Sequence, residues 1–266
     1  MSEQKSTVVI PCAGKGKRLY PLTKDLSKSL VNVGSYKMID YSISECILGN
    51  IDRIVFVISP DDDQLMEHIH SVNNNKNIPG INKNEFTNID CKIVEQKLPL
   101  GLGNAIYLAA DYILGDSFGI ILPDDLILHR SSVINKMKSI YSRYNRNILY
   151  GKYVSEELIE NFGIIETGSR HENLYLVVNK LLEKPNKKDT DSNLAILGRY
   201  YLNVRIFDYL HNLEPGYGGE IQLTDALSKM LSDDQFIVIE SGDDHFDVGN
   251  LKGLELAERY INNNPF

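Results

Sequence analysis

The sequence predicts an α/β protein: a Rossmann-like, three-layer α/β/α arrangement with a mostly parallel mixed sheet, and a smaller additional β-sheet in the second half. Three observations carry that expectation. Apolar runs of strand length alternate with segments of helical spacing as far as about residue 145. Beyond that point, strand-like pieces crowd closer together. The first apolar run opens directly into a glycine-spaced loop, at the place where sheets of this class bind ligands.

The runs "STVVIPC" (6–12), "RIVFVIS" (53–59), "CKIVEQ" (91–96) and "FGIIL" (118–122) read as strands, β-branched and buried on both faces. Between them, Ile39, Ile43, Cys46 and Ile47 fall on one helical face. Ala105, Ile106, Ala109, Ala110 and Ile113 make a second stripe, and Val133, Ile134, Met137, Ile140 and Tyr141 a third. Such alternation implies right-handed crossovers with helices on both faces of the sheet. The second half offers "ILYGKYV" (148–154), "GIIE" (163–166), "LYLVVNKLLEK" (174–184) and "LAILGRYYL" (194–202). A helix with Leu223, Leu227, Met230 and Leu231 on one side comes next. A strand "QFIVIE" (235–240) and a helix carrying Leu254, Ala257 and Ile261 follow it. With no repeat and no long linker, residues 1–266 read as one domain. The polar stretch "NNNKNIPGINKNEF" (73–86), broken by Pro-Gly, reads as a surface loop.

A net charge of −8 argues against a nucleic-acid or anionic-membrane partner, both of which call for a basic face. No 18 apolar residues run together and "MSEQKSTVVIP" lacks a leader-like stretch, so the expected location is cytoplasmic. Cys12, Cys46 and Cys91 form no C-x-x-C pair and read as small buried hydrophobes. His68 and His70 are two apart and face different sides of a helix, which speaks against a shared metal.

Against this acidity stands a basic island. Lys15, Lys17, Arg18, Lys24 and Lys28 fall within 14 residues, with Asp25 the single acid among them. Glycines after a strand let backbone N–H groups approach phosphate oxygens without a Cβ in the way. The dinucleotide fingerprint G-x-G-x-x-G/A fails at Leu19, which sets aside a nicotinamide-dependent oxidoreductase, and no P-loop is present. A small anionic ligand fits best; a structural turn or a solvated basic face stays open on these residues alone.

Eight motifs in one order extend the reading. "VVIPCAGKGKRLYPLTK" matches a strand running into G-x-G-T-R-x-x-P, and "EQKLPLGLGNAI" (95–106) and "ILPDDLIL" (121–128) come next. "NFGIIE" (161–166), "LLEKP" (181–185), "ILGRYYL" (196–202), "GGEIQLTDAL" (218–227) and "FDVGNLKGLELA" (246–257) complete the series. The chain thereby resembles the sugar-1-phosphate nucleotidyltransferases over nearly its whole length, with wording closest to the bacterial UTP–glucose-1-phosphate uridylyltransferase branch. It departs from the pattern at Lys17, where the family has Thr, and at Ser27, Ser29 and Asn32 in the stretch the family writes P-K-E-M-L-P.

The resemblance implies formation of UDP-glucose and pyrophosphate from UTP and glucose 1-phosphate, with Mg²⁺ as cofactor. Thymidylyl or cytidylyl transfer to a related sugar phosphate, and a non-catalytic nucleotide-sugar-binding homologue, stay open. Residues 1–145 are then mainly nucleotide-binding; residues 146–266 hold mainly the sugar side and the C-terminal helices. The resemblance implies that Ala13, Gly14 and Gly16 cradle the triphosphate, with Lys17 either adding a phosphate contact or pointing to solvent. Arg18, Lys28 and Lys184 meet the reacting phosphates, and Asp124 and Asp247 hold the metal, Asp124 also beside the nucleotide. Glu183 accepts from sugar hydroxyls, with Gly163 and Gly198 presenting backbone groups. The family also implies a homo-oligomer with small-molecule substrates. Because the nucleophile is an ionised phosphate, no general base is required, in keeping with the lack of a Ser/His/Asp or Cys/His arrangement. The Gln96 amide can offer an acceptor to N3–H and a donor to a carbonyl of uracil, beside Gly101. That logic does not exclude thymine, and a flipped amide suits cytosine.

Overall fold

The apolar runs of the first half pair as parallel strands because both of their faces can be buried. Along the first strand, Val8 and Ile10 enter one core while Val9 enters the other. The structure, a computed structural model, describes residues 5–74, 78–81, 89–128, 131–172 and 175–264.

The chain begins with β1 (Thr7–Pro11), the short strands β2 (Asn32–Val33) and β3 (Tyr36–Lys37), and helix α1 (Met38–Leu48). Next come β4 (Arg53–Ile58), α2 (Asp63–Ser71), β5 (Asp90–Glu95), α3 (Leu102–Leu108), β6 (Ser117–Ile121) and β7 (Asp125–Leu128). Then follow α4 (Val133–Tyr144), β8 (Asn147–Tyr153), β9 (Gly163–His171), β10 (Tyr175–Glu183) and β11 (Leu194–Asn203). The last elements are α5 (Ile206–His211), α6 (Leu223–Met230), β12 (Phe236–Glu240), β13 (Asp244–Asp247) and α7 (Leu251–Asn263).

One nine-stranded sheet has the order β5-β4-β1-β6-β11-β8-β12-β10-β9. Its first four strands are parallel; β11 runs antiparallel between β6 and β8. The strands of the second half therefore extend the main sheet, and the smaller sheets are β13-β7 and β2-β3. One core packs α1, α2 and α4 on one face of the sheet, and a second packs α3, α5 and α6 on the other. This is the three-layer α/β/α arrangement. The stripe from Ala105 to Ile113 is not one helix: α3 ends at Leu108 and a 3₁₀ turn spans Ala110–Tyr112, after which Leu114 N–H reaches Thr7 Oγ1 at 2.9 Å. Much of the Asn-rich stretch 73–86 lies outside the described residues; Asn73 bonds both backbone groups of Ile89 at 3.1 Å. No described helix is long and apolar enough to cross a membrane. His68 accordingly has a structural partner, Asp40 Oδ1 at 2.7 Å.

Cys12 and Cys46 are buried and Cys91 is partly buried, and burial raises all three thiols. It pushes Cys12 up to about 12, Cys91 up to about 11, and Cys46 well above its ordinary value of 9.0. Folding thus favours the protonated thiol. This contribution to stability is fully present below pH 9 and is lost as pH rises from there through the folded-state values. Native chain treated with iodoacetamide at pH 8 is expected to alkylate far more slowly than guanidinium-unfolded chain, which acquires three adducts by mass spectrometry. Rapid labelling of the native protein would contradict the burial argument.

Candidate active site

β1 is a switch point: β4 and β5 lie to one side of it and β6 to the other. Ligands of open α/β sheets bind outside the carboxyl ends of strands at such a point. The glycine loop emerges there. Gly16 takes φ +61°, and a Cβ on it would lie 2.9 Å from both Lys28 Cβ and Thr23 Cγ2, so glycine is needed on both counts. Thr23 Oγ1 donates to the Gly16 carbonyl at 2.9 Å. Leu19 stands where a dinucleotide loop would need its third glycine, and it is fully buried among Val31, Val33, Met38, Leu126 and Val248. It anchors the loop and leaves Lys17 and Arg18 exposed. A cavity of about 550 Å³ opens beside the loop, with Ala13, Gly14, Lys28, Gln96, Gly101 and Asp124 in its walls.

At the edge of that cavity two carboxylates meet two cations. Lys28 Nζ lies 2.5 Å from Asp124 Oδ2. Arg18 reaches Asp247 Oδ2 at 3.2 Å and Asp124 Oδ2 at 3.8 Å. Burial works to raise the Asp124 carboxyl, but the charge and hydrogen bond of Lys28, helped by Arg18, hold it below its ordinary value. Asp124 sits in the turn between β6 and β7, and Asp247 ends β13, which pairs with β7 so that Asp247 faces Asp125. Val248 N–H donates to the Asp124 carbonyl at 2.8 Å and ties the two turns together. Asp247 is held by the Gly249 N–H at 3.0 Å and by Asn250 Nδ2 at 2.9 Å.

Gly249 sits in the middle of this cluster. A Cβ there would stand 2.7 Å from Asp124 Oδ2 and 3.0 Å from both Asp247 Oδ1 and an Arg18 nitrogen. The bare backbone therefore leaves a cradle between two hard oxygen donors, the ligand type that suits Mg²⁺. Among the described residues no group of three or more His, Cys, Asp or Glu converges on one point.

Two buried charges behind the cluster, Arg199 and Glu45, were not legible as site residues. Arg199 on β11 is 2% exposed and Glu45 on α1 is 1% exposed, with Nε to Oε2 at 2.9 Å. The same guanidinium donates to the carbonyls of Leu122 at 3.2 Å and Asp125 at 3.0 Å, bracketing the turn that carries Asp124. A charge inside the apolar run "LAILGRYYL" and another inside "MIDYSISECIL" were the available signals. Asp125, which the sequence does mark beside Asp124 at the strand end, supports the cluster from behind: its carboxylate accepts from the Gly198 N–H at 3.0 Å and lies 2.8 Å from His245 Nε2.

Where the base is expected, Gly101 takes φ +101°, and a Cβ would come within 2.8 Å of the Ile221 carbonyl. The Gln96 side chain is 7% exposed, and its Nε2 donates to the Gly101 carbonyl at 3.1 Å and to Asn104 Oδ1 at 2.9 Å. A carbonyl can only accept, so the amide has one orientation, and both of its donor hydrogens are engaged inside the protein. The expected donor to a base carbonyl is thus not available; the oxygen is left to accept.

Gly163 and Glu183, the residues expected to meet the sugar, pair across β9 and β10, and a Cβ on Gly163 would lie 3.6 Å from Glu183 Oε2. Lys184 Nζ is 3.4 Å from Glu183 Oε1. Gly198 differs from expectation. Its N–H serves Asp125, and its carbonyl accepts from Leu122 N–H at 2.8 Å and from Arg199 at 3.2 Å. A Cβ there would collide with Leu122 Cβ at 2.5 Å, so close packing, not a free backbone group, accounts for this glycine.

Cations and carboxylates interleaved beside a glycine loop at the carboxyl ends of parallel strands are an arrangement that can take a phosphate-bearing ligand, as α/β enzymes that transfer nucleotides do. The chain belongs to the Nucleotidyl transferase family, whose model matches residues 7–264. It is 32% identical to a UTP–glucose-1-phosphate uridylyltransferase of Pseudomonas aeruginosa over 272 residues, covering 97% of this chain and 96% of that one. A Bacillus subtilis protein of the same name is 32% identical over 255 residues, covering 92% and 87%. Among solved structures, UDP-glucose pyrophosphorylase complexed with UDP-glucose superposes with a TM-score of 0.88 at 29% identity, covering 97% and 99%.

Proposed function

We propose that this chain joins the uridylyl group of UTP to glucose 1-phosphate, forming UDP-glucose and pyrophosphate. A sugar-phosphate oxygen forms a bond to the α-phosphorus. The bond from that phosphorus to the bridging oxygen breaks, and pyrophosphate departs with the electron pair. The observation that carries the reading is the interleaving of Arg18, Lys28, Asp124 and Asp247 at the edge of the cavity.

Each residue then has a task that its geometry permits. The planar fork of Arg18 grips the pyrophosphate end and Lys28 the phosphate nearest the reacting centre. Ala13, Gly14, Gly16 and Lys17 line the triphosphate. Lys184 meets the sugar phosphate, while Glu183 accepts from the sugar hydroxyls beside Gly163. Asp124 and Asp247 would hold Mg²⁺, which when bound offsets phosphate charge as the leaving group departs. The four cations and carboxylates already neutralise one another, so an incoming triphosphate exchanges one set of charge partners for another.

The fixed Gln96 amide favours bases with a donor at N3. Uracil and thymine have one; cytosine presents an acceptor there and would face the Gln96 oxygen unfavourably. Purified chain incubated with Mg²⁺, glucose 1-phosphate and each of UTP, dTTP, CTP, ATP and GTP is expected to release pyrophosphate fastest with UTP and poorly with CTP. Silence with every triphosphate would remove the reading for this sugar. Equal rates with CTP and UTP would refute the role given to Gln96.

A further inference from the structure

Tyr217 has no place in the chemistry above, yet it is a large aromatic side chain left 58% exposed beside the site. Its ring centroid lies 5.3 Å from Lys184 Nζ, within cation–π range. Lys184 itself takes φ +43°, a left-handed conformation that is costly for a residue with a side chain. Its N–H is held by the Phe162 carbonyl at 3.1 Å. Just past the end of β10 the ammonium thus lies within reach of both the Glu183 carboxylate, at 3.4 Å, and the Tyr217 ring.

The segment that presents the ring is tied down at several points. Gly216 N–H donates to the Glu220 carbonyl at 2.8 Å, and Gly219 N–H to the Gly216 carbonyl at 3.0 Å. Gln222 Nε2, from a buried side chain, donates to the Tyr217 carbonyl at 3.0 Å. Gly218 and Gly219 take φ +69° and +74°, which lets so tight a turn form. Glu220, at its far end, lines the nucleotide cavity. One short turn therefore reaches from the nucleotide cavity to the cation assigned to the sugar phosphate.

We infer that Tyr217 is a positioning residue: its ring face restrains the Lys184 ammonium in the orientation that receives the sugar-bound phosphate. The inference rests on the proposed role of Lys184. A lysine free to swing between Glu183 and solvent would lose rotamer freedom on meeting the ligand; one already braced by a carboxylate and a ring has lost it in advance. The ring matters and the hydroxyl does not.

Isothermal titration of the full chain with UDP-glucose and, separately, with UTP tests this. Tyr217→Ala is expected to weaken UDP-glucose about fivefold, the size of a half-exposed cation–π contact, and to leave UTP within about twofold. Tyr217→Leu should behave like Tyr217→Ala, and Tyr217→Phe should retain most of the wild-type affinity. In a Lys184→Met background, Tyr217→Ala should cost nothing further. Unchanged UDP-glucose affinity in Tyr217→Ala, or a loss of the same size in the Lys184→Met background, overturns the inference; so does a Tyr217→Phe variant as weak as Tyr217→Ala. A wild-type chain that binds neither ligand overturns the nucleotidyl-transfer reading along with it, whereas a wild type that binds both beside an indifferent Tyr217→Ala overturns this inference alone.

Discussion

Arg199→Ala is expected to lower the melting temperature by roughly 10 °C, because removing one partner of a buried ion pair costs about 3–5 kcal/mol. The guanidinium and the Glu45 carboxylate are 2% and 1% exposed, so solvent screens neither. Truncation leaves the carboxylate buried with its counter-charge gone, and it also strips donors from the carbonyls of Leu122 and Asp125. The double variant Arg199→Met with Glu45→Met should recover much of the loss, since apolar replacement of both partners is often neutral. Differential scanning calorimetry decides. A drop under 2 °C for Arg199→Ala would refute the pair as a structural keystone.

Arg18→Ala is expected to do the reverse, leaving stability almost untouched while lowering turnover about 10²–10³-fold, the usual loss for one preorganised charge at a transition state. Its side chain is 58% exposed and its contacts to Asp247 and Asp124 are at 3.2 and 3.8 Å, so its ion pairs add little to folding. Arg18→Lys should recover only part of the rate, since an ammonium lacks the bidentate fork. Steady-state pyrophosphate release measures both variants, and a loss below threefold in Arg18→Ala would remove its assigned role.

The contrast between these two arginines marks how far the sequence could be read. Arg18 belongs to a loop whose local chemistry is self-announcing: glycines, cations and a preceding strand. Arg199 is a charge inside an apolar strand, and its meaning depends on Glu45, 154 residues away, which no local pattern discloses. The parallel strands were legible because β-branched runs buried on both faces have no polar alternation to confuse them. The pair β7 and β13 was not, since "DLIL" and "DHFD" are four residues each and the second is mostly polar. That small sheet nevertheless brings Asp124 and Asp247 together. Gln96 is legible as a polar side chain just past a strand, but its orientation depends on the Gly101 carbonyl and Asn104 and comes only from geometry. Gly198 failed for a similar reason: a glycine in a motif can serve a ligand or a tight packing contact, and only its neighbours tell which.

The place of β11 between β6 and β8 also bears on how the molecule is made. During synthesis β6 and then β8 leave the ribosome before β11, yet β6 and β8 are separated in the finished sheet by this later strand, which is complete only at Asn203. Until that strand arrives, the parallel half and the later strands have no continuous ladder between them. Arg199, which braces the Asp124 turn, arrives on the same strand. The strand that joins β6 to β8 is thus a late, non-local insertion, and the brace on the Asp124 turn arrives with it, before Asp247 on β13 completes the cluster.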